Sequence, residues 1–235
     1  MNAQNTMLIT GAGKGLGKAL ALHFAKIGYR IIAHFRSTPP PIQEILKFSH
    51  SSFAIRADLK NETEAVAMFK KIHTKSPAID ILINNIGDFV FKDINTTTFS
   101  EFKNVIESNL YSAFLCTQEV LPSMQKKKSG NIVMLGCAGA DTITVRKNTT
   151  PYYIAKTGVI MLTKALAAEN QKYNIRINAV SPGILPNSRA RPLERKSQEV
   201  QYADIISAIE FLLNEKAKKI TGANLEVSAG WIPGF

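Results

Sequence analysis

Residues 7–20 read MLITGAGKGLGKAL. A short apolar run (7–10) leads into Thr10-Gly11-x-x-x-Gly15-x-Gly17, and an amphipathic stretch follows over 16–27. An apolar run of that length reads as a strand buried on both faces, and the stretch after it as a helix. Glycine between them lets the backbone turn tightly and come close to a diphosphate, which a helix N-terminus favours. A glycine-rich loop alone is a weak signal. Between the first strand and first helix of an alternating chain, it predicts a dinucleotide site.

The alternation continues to the end of the chain. Further apolar runs lie at 30–35, 52–57, 80–85, 131–136, 175–180 and 224–227. Amphipathic stretches at 61–75, 100–127 (two helices), 152–172 and 203–214 separate most of them, and PPP at 39–41 marks a loop and a helix start. Near-continuous apolar strands alternating with helices predict an α/β fold. We expect one Rossmann-type doubly wound domain over 1–235, with a mostly seven-stranded parallel sheet and helices on both faces.

Composition narrows the function. The chain has 235 residues, of which 45% are apolar, enough for one sizeable core. Cys116 and Cys137 are too few for a disulfide framework or a zinc cluster, and no metal site is expected. His23, His34, His50 and His73 have no ligand-like neighbours, so each is expected at the surface or in packing. No leader and no membrane-length apolar run is visible, so a soluble cytoplasmic protein without a membrane partner is the expectation. The net charge of +11 favours phosphate-bearing partners, but the clusters at 126–128 and 215–219 carry no interleaved aromatics. Nucleic acid is not expected.

Tyr152 precedes Lys156 by four residues in TTPYYIAKTG, which puts both on one helix face. A phenol beside an ammonium can become a proton donor of lowered pKa. With the glycine loop, NNIG (84–87), Asn109 and SPG (181–183), this pair follows the order and spacing of the short-chain dehydrogenase/reductase family. The resemblance covers essentially the whole chain, with Ile86 the one departure inside NNIG, where alanine is usual.

The resemblance implies an oxidoreductase in which Tyr152 protonates a carbonyl oxygen, Lys156 lowers the tyrosine pKa and binds the nicotinamide ribose, and Asn109 holds a water in the proton path. It implies a cofactor site of Gly11, Lys14, Gly15, Leu16, Gly17, Arg36, Ser37, Asp58, Leu59, Asn85, Gly87, Tyr152, Lys156, Pro182, Gly183 and Ile184. The bland alternative for Asp58 is a helix N-cap. A carboxylate closing the second strand would bind an adenosine ribose and repel a 2′-phosphate. Here that strand ends AHFRS, with Arg36 in that region and Lys14 in the glycine loop, so NADPH is the expected cofactor.

Two departures concern the substrate. The family's serine at the end of the fifth strand has no counterpart by count, which lands on Gly139, while alignment by strand puts Cys137 there with two extra residues before Tyr152. A thiol is a weak donor, so Asp141, Thr142 or Thr144 is expected to supply the missing contact. After SPG, the segment 184–200 reaches the next helix too quickly for the usual substrate lid, and Asn187 and Ser188 lie near a position that often contacts the nicotinamide carboxamide. Expected substrates are 3-oxoacyl thioesters and small ketones. A pteridine is the alternative, because AHFRS resembles the second-strand end of pteridine reductases, and a weakly catalytic NADPH-binding regulator is a third reading. A homotetramer is expected, because the stretches around 111–121 and 159–169 carry more apolar surface than one sheet covers, and WIPGF would otherwise expose Trp231 and Phe235.

Overall fold

A computed structural model describes residues 5–76, 78–143, 146–188 and 199–231. Seven parallel strands form one sheet: β1 (Thr6–Ile9), β2 (Arg30–Phe35), β3 (Phe53–Arg56), β4 (Ile81–Asn84), β5 (Gly130–Leu135), β6 (Ile175–Pro182) and β7 (Asn224–Val227), in the order β3-β2-β1-β4-β5-β6-β7. The order reverses between β1 and β4, the place where open sheets of this kind form a crevice beyond their carboxyl ends.

The helices are α1 (Gly15–Lys26), α2 (Ile42–Leu46), α3 (Glu62–Lys75), α4 (Phe99–Ile106), α5 (Ser112–Lys127), α6 (Thr150–Asn170) and α7 (Tyr202–Leu213). Successive strand residues face opposite sides of the sheet. Leu8, Ile32, Leu82 and Ile132 pack with Phe69 of α3, Val120 of α5 and Val159 of α6. Ile9, Ile31, Ile83 and Val133 pack with Leu20 of α1 and Ile209 of α7. Two apolar clusters on opposite faces explain why these strands lack a polar side.

The stretch 100–127 is one helical column and not two helices. A π-helical turn, Glu107–Tyr111, joins α4 to α5 without a break. Such a turn widens the helix and disturbs its regular ladder. Val105 O is satisfied here by the side chains of Asn109 (2.9 Å) and Ser108 (3.3 Å). None of the described helices is long and apolar enough to cross a membrane.

Candidate active site

The glycine loop is tied to β4 before it turns. Thr10 N donates to Ile83 O (3.0 Å), Thr10 Oγ1 accepts from Asn85 N (2.9 Å), and Asn85 Nδ2 donates to Thr10 O (2.9 Å). Gly11 has a φ of 70°, a left-handed conformation that favours glycine. At Gly17 any side chain would put its Cβ 2.1 Å from Gly11 O, so the loop folds this closely because both residues are glycine. Lys14 precedes α1 with extended backbone and no side-chain cap, and the helix has no acid in its first turn. The first N–H groups of α1 therefore lack an internal anion.

His34, expected at the surface or in packing, is of the second kind, with a role in joining two loops that the sequence did not show. It is buried, lines the cavity described below, and accepts from Gly11 N at Nδ1 (3.2 Å) while Nε2 lies 3.0 Å from Ala57 O. Those two contacts require the neutral Nε2–H tautomer. Burial pushes the imidazole down to about 4, against an opposing bond from Ala57. The folded protein then refuses a proton that the unfolded chain accepts near pH 6.5, so stability present above that pH is lost as pH falls towards 4. The stability gap between wild type and His34→Asn should therefore shrink by about 3 kcal/mol from pH 7 to pH 4 in urea titrations. A gap that is constant with pH would contradict this.

A cavity of about 600 Å³ opens over the carboxyl ends of the strands. Its inner wall is Gly11, Gly15, Leu16 and Gly17, with Asn85 and Gly87 from the end of β4. Lys14, Arg36, Ser37, Asp58 and Leu59 line one end. Arg36 Nη1 lies 3.5 Å from Asp88 Oδ2, and Asn104 Nδ2 donates to the same oxygen (3.1 Å). Asp58 is not the cap of α3. That role belongs to Asn61, which accepts from Glu64 N (3.1 Å), while Asp58 Oδ1 accepts from Lys60 N (3.1 Å). Pro182, Gly183 and Ile184 close the far side, with Asn187 and Ser188 beyond them. The segment 189–198, where the shortened lid was expected, lies outside the described residues.

The other end of the cavity holds Tyr152 and Lys156. Pro151 sits in the first turn of α6, where its fixed φ suits a helix start, and this sets Tyr152 beside the cavity. Phe89 meets the Tyr152 ring edge-on at 5.0 Å. Lys156 Nζ lies 5.6 Å from the same ring centroid and donates to Leu135 O (2.6 Å). Burial pushes Lys156 down to about 8 and pushes the Tyr152 phenol well above its usual range. The expected lowering of the tyrosine pKa is thus overturned in the protein alone, because burial disfavours the phenolate and the ammonium is spent on a backbone carbonyl. Such a phenol stays protonated. Tyr153, expected to pack, is buried and donates to Ala138 O (3.1 Å).

Asn109 occupies the π-helical turn. Its Nδ2 donates to Asp88 O and Val105 O (2.9 Å each), while its buried Oδ1 has no donor among the described residues. Oδ1 lies against Gly87, where an added Cβ would come within 2.0 Å of it. An unpaired buried acceptor carries a desolvation cost, and a ligand or a bridging water would remove it.

Cys137 follows β5 and lines the cavity with Tyr152 and Lys156, the position that alignment by strand assigns it. Burial pushes its thiol up. Asp141 and Thr142 do not line the cavity. Both are exposed: Asp141 Oδ2 accepts from Asn224 Nδ2 (3.0 Å) and Thr142 Oγ1 donates to Gly139 O (3.0 Å). Their placement gives no support to either as the missing donor, and Thr144 lies outside the described residues. The loop instead brings Arg146 to the cavity, with Phe89 and Trp231 nearby, three residues that sequence reasoning missed. No metal-holding group of His, Cys, Asp or Glu occurs among the described residues.

A nicotinamide dinucleotide fits these residues. The glycine loop is packed too closely on its own neighbours to carry any Cβ and lines the cavity with backbone, the start of α1 has no side-chain cap, cations stand at one end, and at the other a buried oxygen has no donor among the described residues. The short chain dehydrogenase family model matches residues 5–198. The chain belongs to the short-chain dehydrogenase family. It is 32% identical to the 3-oxoacyl-(acyl-carrier-protein) reductase FabG of Staphylococcus aureus, covering 98% of this chain and 99% of that one. The Buchnera aphidicola (Acyrthosiphon pisum) reductase of the same name is 32% identical over 97% of both chains. A Bacillus thuringiensis structure, described provisionally as a 3-oxoacyl-reductase, superposes with a TM-score of 0.85 at 27% identity, covering 98% of this chain and 99% of that one. The family assignment makes the protein an oxidoreductase that works with a nicotinamide cofactor.

Proposed function

We propose that the protein is an NADPH-dependent reductase of a carbonyl group, acting on a 3-oxoacyl thioester or a small ketone. The observation that carries this reading is one cavity with Tyr152 and Lys156 at one end and Lys14 and Arg36 at the other. The names of the Staphylococcus and Buchnera relatives favour the thioester class.

When bound, the reduced nicotinamide supplies the hydride that adds to the carbonyl carbon. Tyr152 donates its proton to the carbonyl oxygen, a transfer that general acids typically accelerate by about 10²–10⁴. The raised phenol pKa keeps that proton in place until negative charge develops on the oxygen. Lys156, close to neutral pH in its titration, holds Leu135 O and is the nearest cation able to steady the resulting phenolate. The Oδ1 of Asn109 accepts from a water that returns a proton towards the site. Phe89 packs edge-on against the Tyr152 ring.

A turnover assay with NADPH and a panel of ketones, acetoacetyl-CoA and dihydropteridines tests this reading. Reduction of ketones or the thioester supports it, and reduction of dihydropteridines alone would assign the enzyme to C=N bonds. Binding of NADPH without turnover on any substrate would favour a regulator.

Cys137→Ala should change kcat by less than about threefold, since a buried thiol donates weakly to an alkoxide-like oxygen. Loss of turnover with cofactor binding unchanged would make the thiol a substrate contact.

A homotetramer belongs to the same proposal. Tyr111 (54% exposed), Phe114 (40%), Ile154 (49%) and Met161 (68%) lie on the helical column and on α6, and Phe211 (49%) lies on α7. Exposed aromatics and methionine on neighbouring helices are the composition of a subunit interface. Trp231 adds nothing to this, contrary to expectation. It is 4% exposed and packs inside the chain against Ala138 and Ile184, while Phe235 lies outside the described residues. Light scattering at micromolar concentration should give four times the chain mass, and a monomer would refute the assembly.

A further inference from the structure

Asp88 follows β4, lines the cavity, and is held by groups from both of its ends. On the cation side, Arg36 Nη1 lies 3.5 Å from Asp88 Oδ2. Asn104 Nδ2 of α4 donates to the same oxygen (3.1 Å), and Lys60 Nζ donates to Asn104 Oδ1 (2.8 Å). The main chain of Asp88 engages the π-helical turn instead. Its N–H donates to Ser108 Oγ (3.0 Å), and its carbonyl accepts from Asn109 Nδ2 (2.9 Å). One residue thus joins a cation at the phosphate end to the side chain whose buried Oδ1 has no donor among the described residues.

Arg36 can satisfy Asp88 or a phosphate. The phosphate offers the guanidinium a charge-assisted, bidentate contact, whereas the pair with Asp88 is more than a third exposed on both sides. When Arg36 turns to the phosphate, Asn104 remains as the donor to the Asp88 carboxylate, and residue 88 loses one of its ties to the cavity wall. We propose that Asp88 is a positioning residue that latches the π-helical turn while Arg36 rests on it, and that a 2′-phosphate on Arg36 releases the turn carrying Asn109. The inference rests on the reading of Arg36 as the seat of that phosphate. It adds that NADPH, unlike NADH, acts on the proton path as well as filling the cavity. A ligand shifts an equilibrium only by its differential affinity for the two states, and an exposed pair of this kind sets that limit at about fivefold.

Hydrogen exchange read by mass spectrometry tests this without turnover. The full-length protein is measured with saturating 2′,5′-ADP and with saturating 5′-AMP, which differ only in the 2′-phosphate and carry no nicotinamide. Amides of the segment 105–112 should exchange about two- to fivefold faster with 2′,5′-ADP than with 5′-AMP. Asp88→Asn keeps an acceptor for Asn104 and removes the charge that holds Arg36. In that variant the segment should exchange at the fast rate with either nucleotide. It should also bind 2′,5′-ADP about two- to fivefold more tightly than wild type, a gain that a merely structural residue would not give. Arg36→Gln breaks the same pair while leaving Asp88 in place, and it should show the fast rate with 5′-AMP. Equal exchange with the two nucleotides in wild type, or a difference that survives in Asp88→Asn, would overturn the latch. Failure of the NADPH reading looks different: 2′,5′-ADP then binds no more tightly than 5′-AMP to the wild-type protein, and the latch falls with it.

Discussion

Tyr152→Phe is expected to lower kcat by about 10²–10⁴ while leaving the dissociation constant for NADPH within about twofold of wild type. The substitution removes one oxygen and keeps the ring that packs edge-on against Phe89 at 5.0 Å, so the local structure has no reason to change. What disappears is a proton that burial holds on the phenol. Lys156→Ala makes an instructive contrast. It removes the group that holds Leu135 O and leaves a buried carbonyl unpaired, so cofactor binding and turnover should both suffer. A Tyr152→Phe enzyme with full activity would show that the proton comes from elsewhere, with Asn109 and its neighbourhood the first place to look.

The second large effect concerns the cofactor. NADPH should bind at least about tenfold more tightly than NADH, since each charge-assisted contact to a 2′-phosphate contributes about 1.5–3 kcal/mol. Arg36 has a competing partner in Asp88, at 3.5 Å. Both side chains are more than a third exposed, and such pairs contribute only about 0–1 kcal/mol. A 2′-phosphate should therefore displace Asp88 from the arginine. Lys14→Ala with Arg36→Ala should bring the two dissociation constants to within about threefold of each other, at fixed salt because exposed charges are screened. Equal affinities in the wild-type protein would remove the basis for assigning NADPH.

The sheet was legible in the sequence because its strands are buried on both faces, and a run such as Ile81–Asn84 has no polar alternation to confuse the reading. The glycine loop and the Tyr152–Lys156 pair were legible for a related reason: each is a local spacing, fixed by one turn or one helix face. Asn109 was visible, but its π-helical turn was not, because the column from 99 to 127 has no glycine to announce it, and Pro122 lies elsewhere.

The residues that sequence missed depend on contacts between distant segments. His34 joins Gly11 to Ala57, each 23 residues away. A signal was present, since a histidine inside an apolar strand has to satisfy both ring nitrogens. Arg146 and Trp231 are 85 positions apart and meet only because the loop after β5 and the chain after β7 end over the same cavity. Periodicity says nothing about either segment. The error over Trp231 has the same origin: an aromatic near the end of the sequence reads as exposed surface until the pocket that takes it is known.

The central claim is that hydride passes from NADPH to a carbonyl carbon in this cavity. The most direct test uses NADPH carrying deuterium at both C4 positions of its nicotinamide, with acetoacetyl-CoA and acetoacetate as acceptors and mass spectrometry of the products. The account predicts one deuterium on the former carbonyl carbon of the hydroxy product of at least one acceptor, formed at a rate that falls by about 10²–10⁴ in Tyr152→Phe. A hydroxy product without deuterium, or no product from either acceptor while NADPH remains bound, would contradict it.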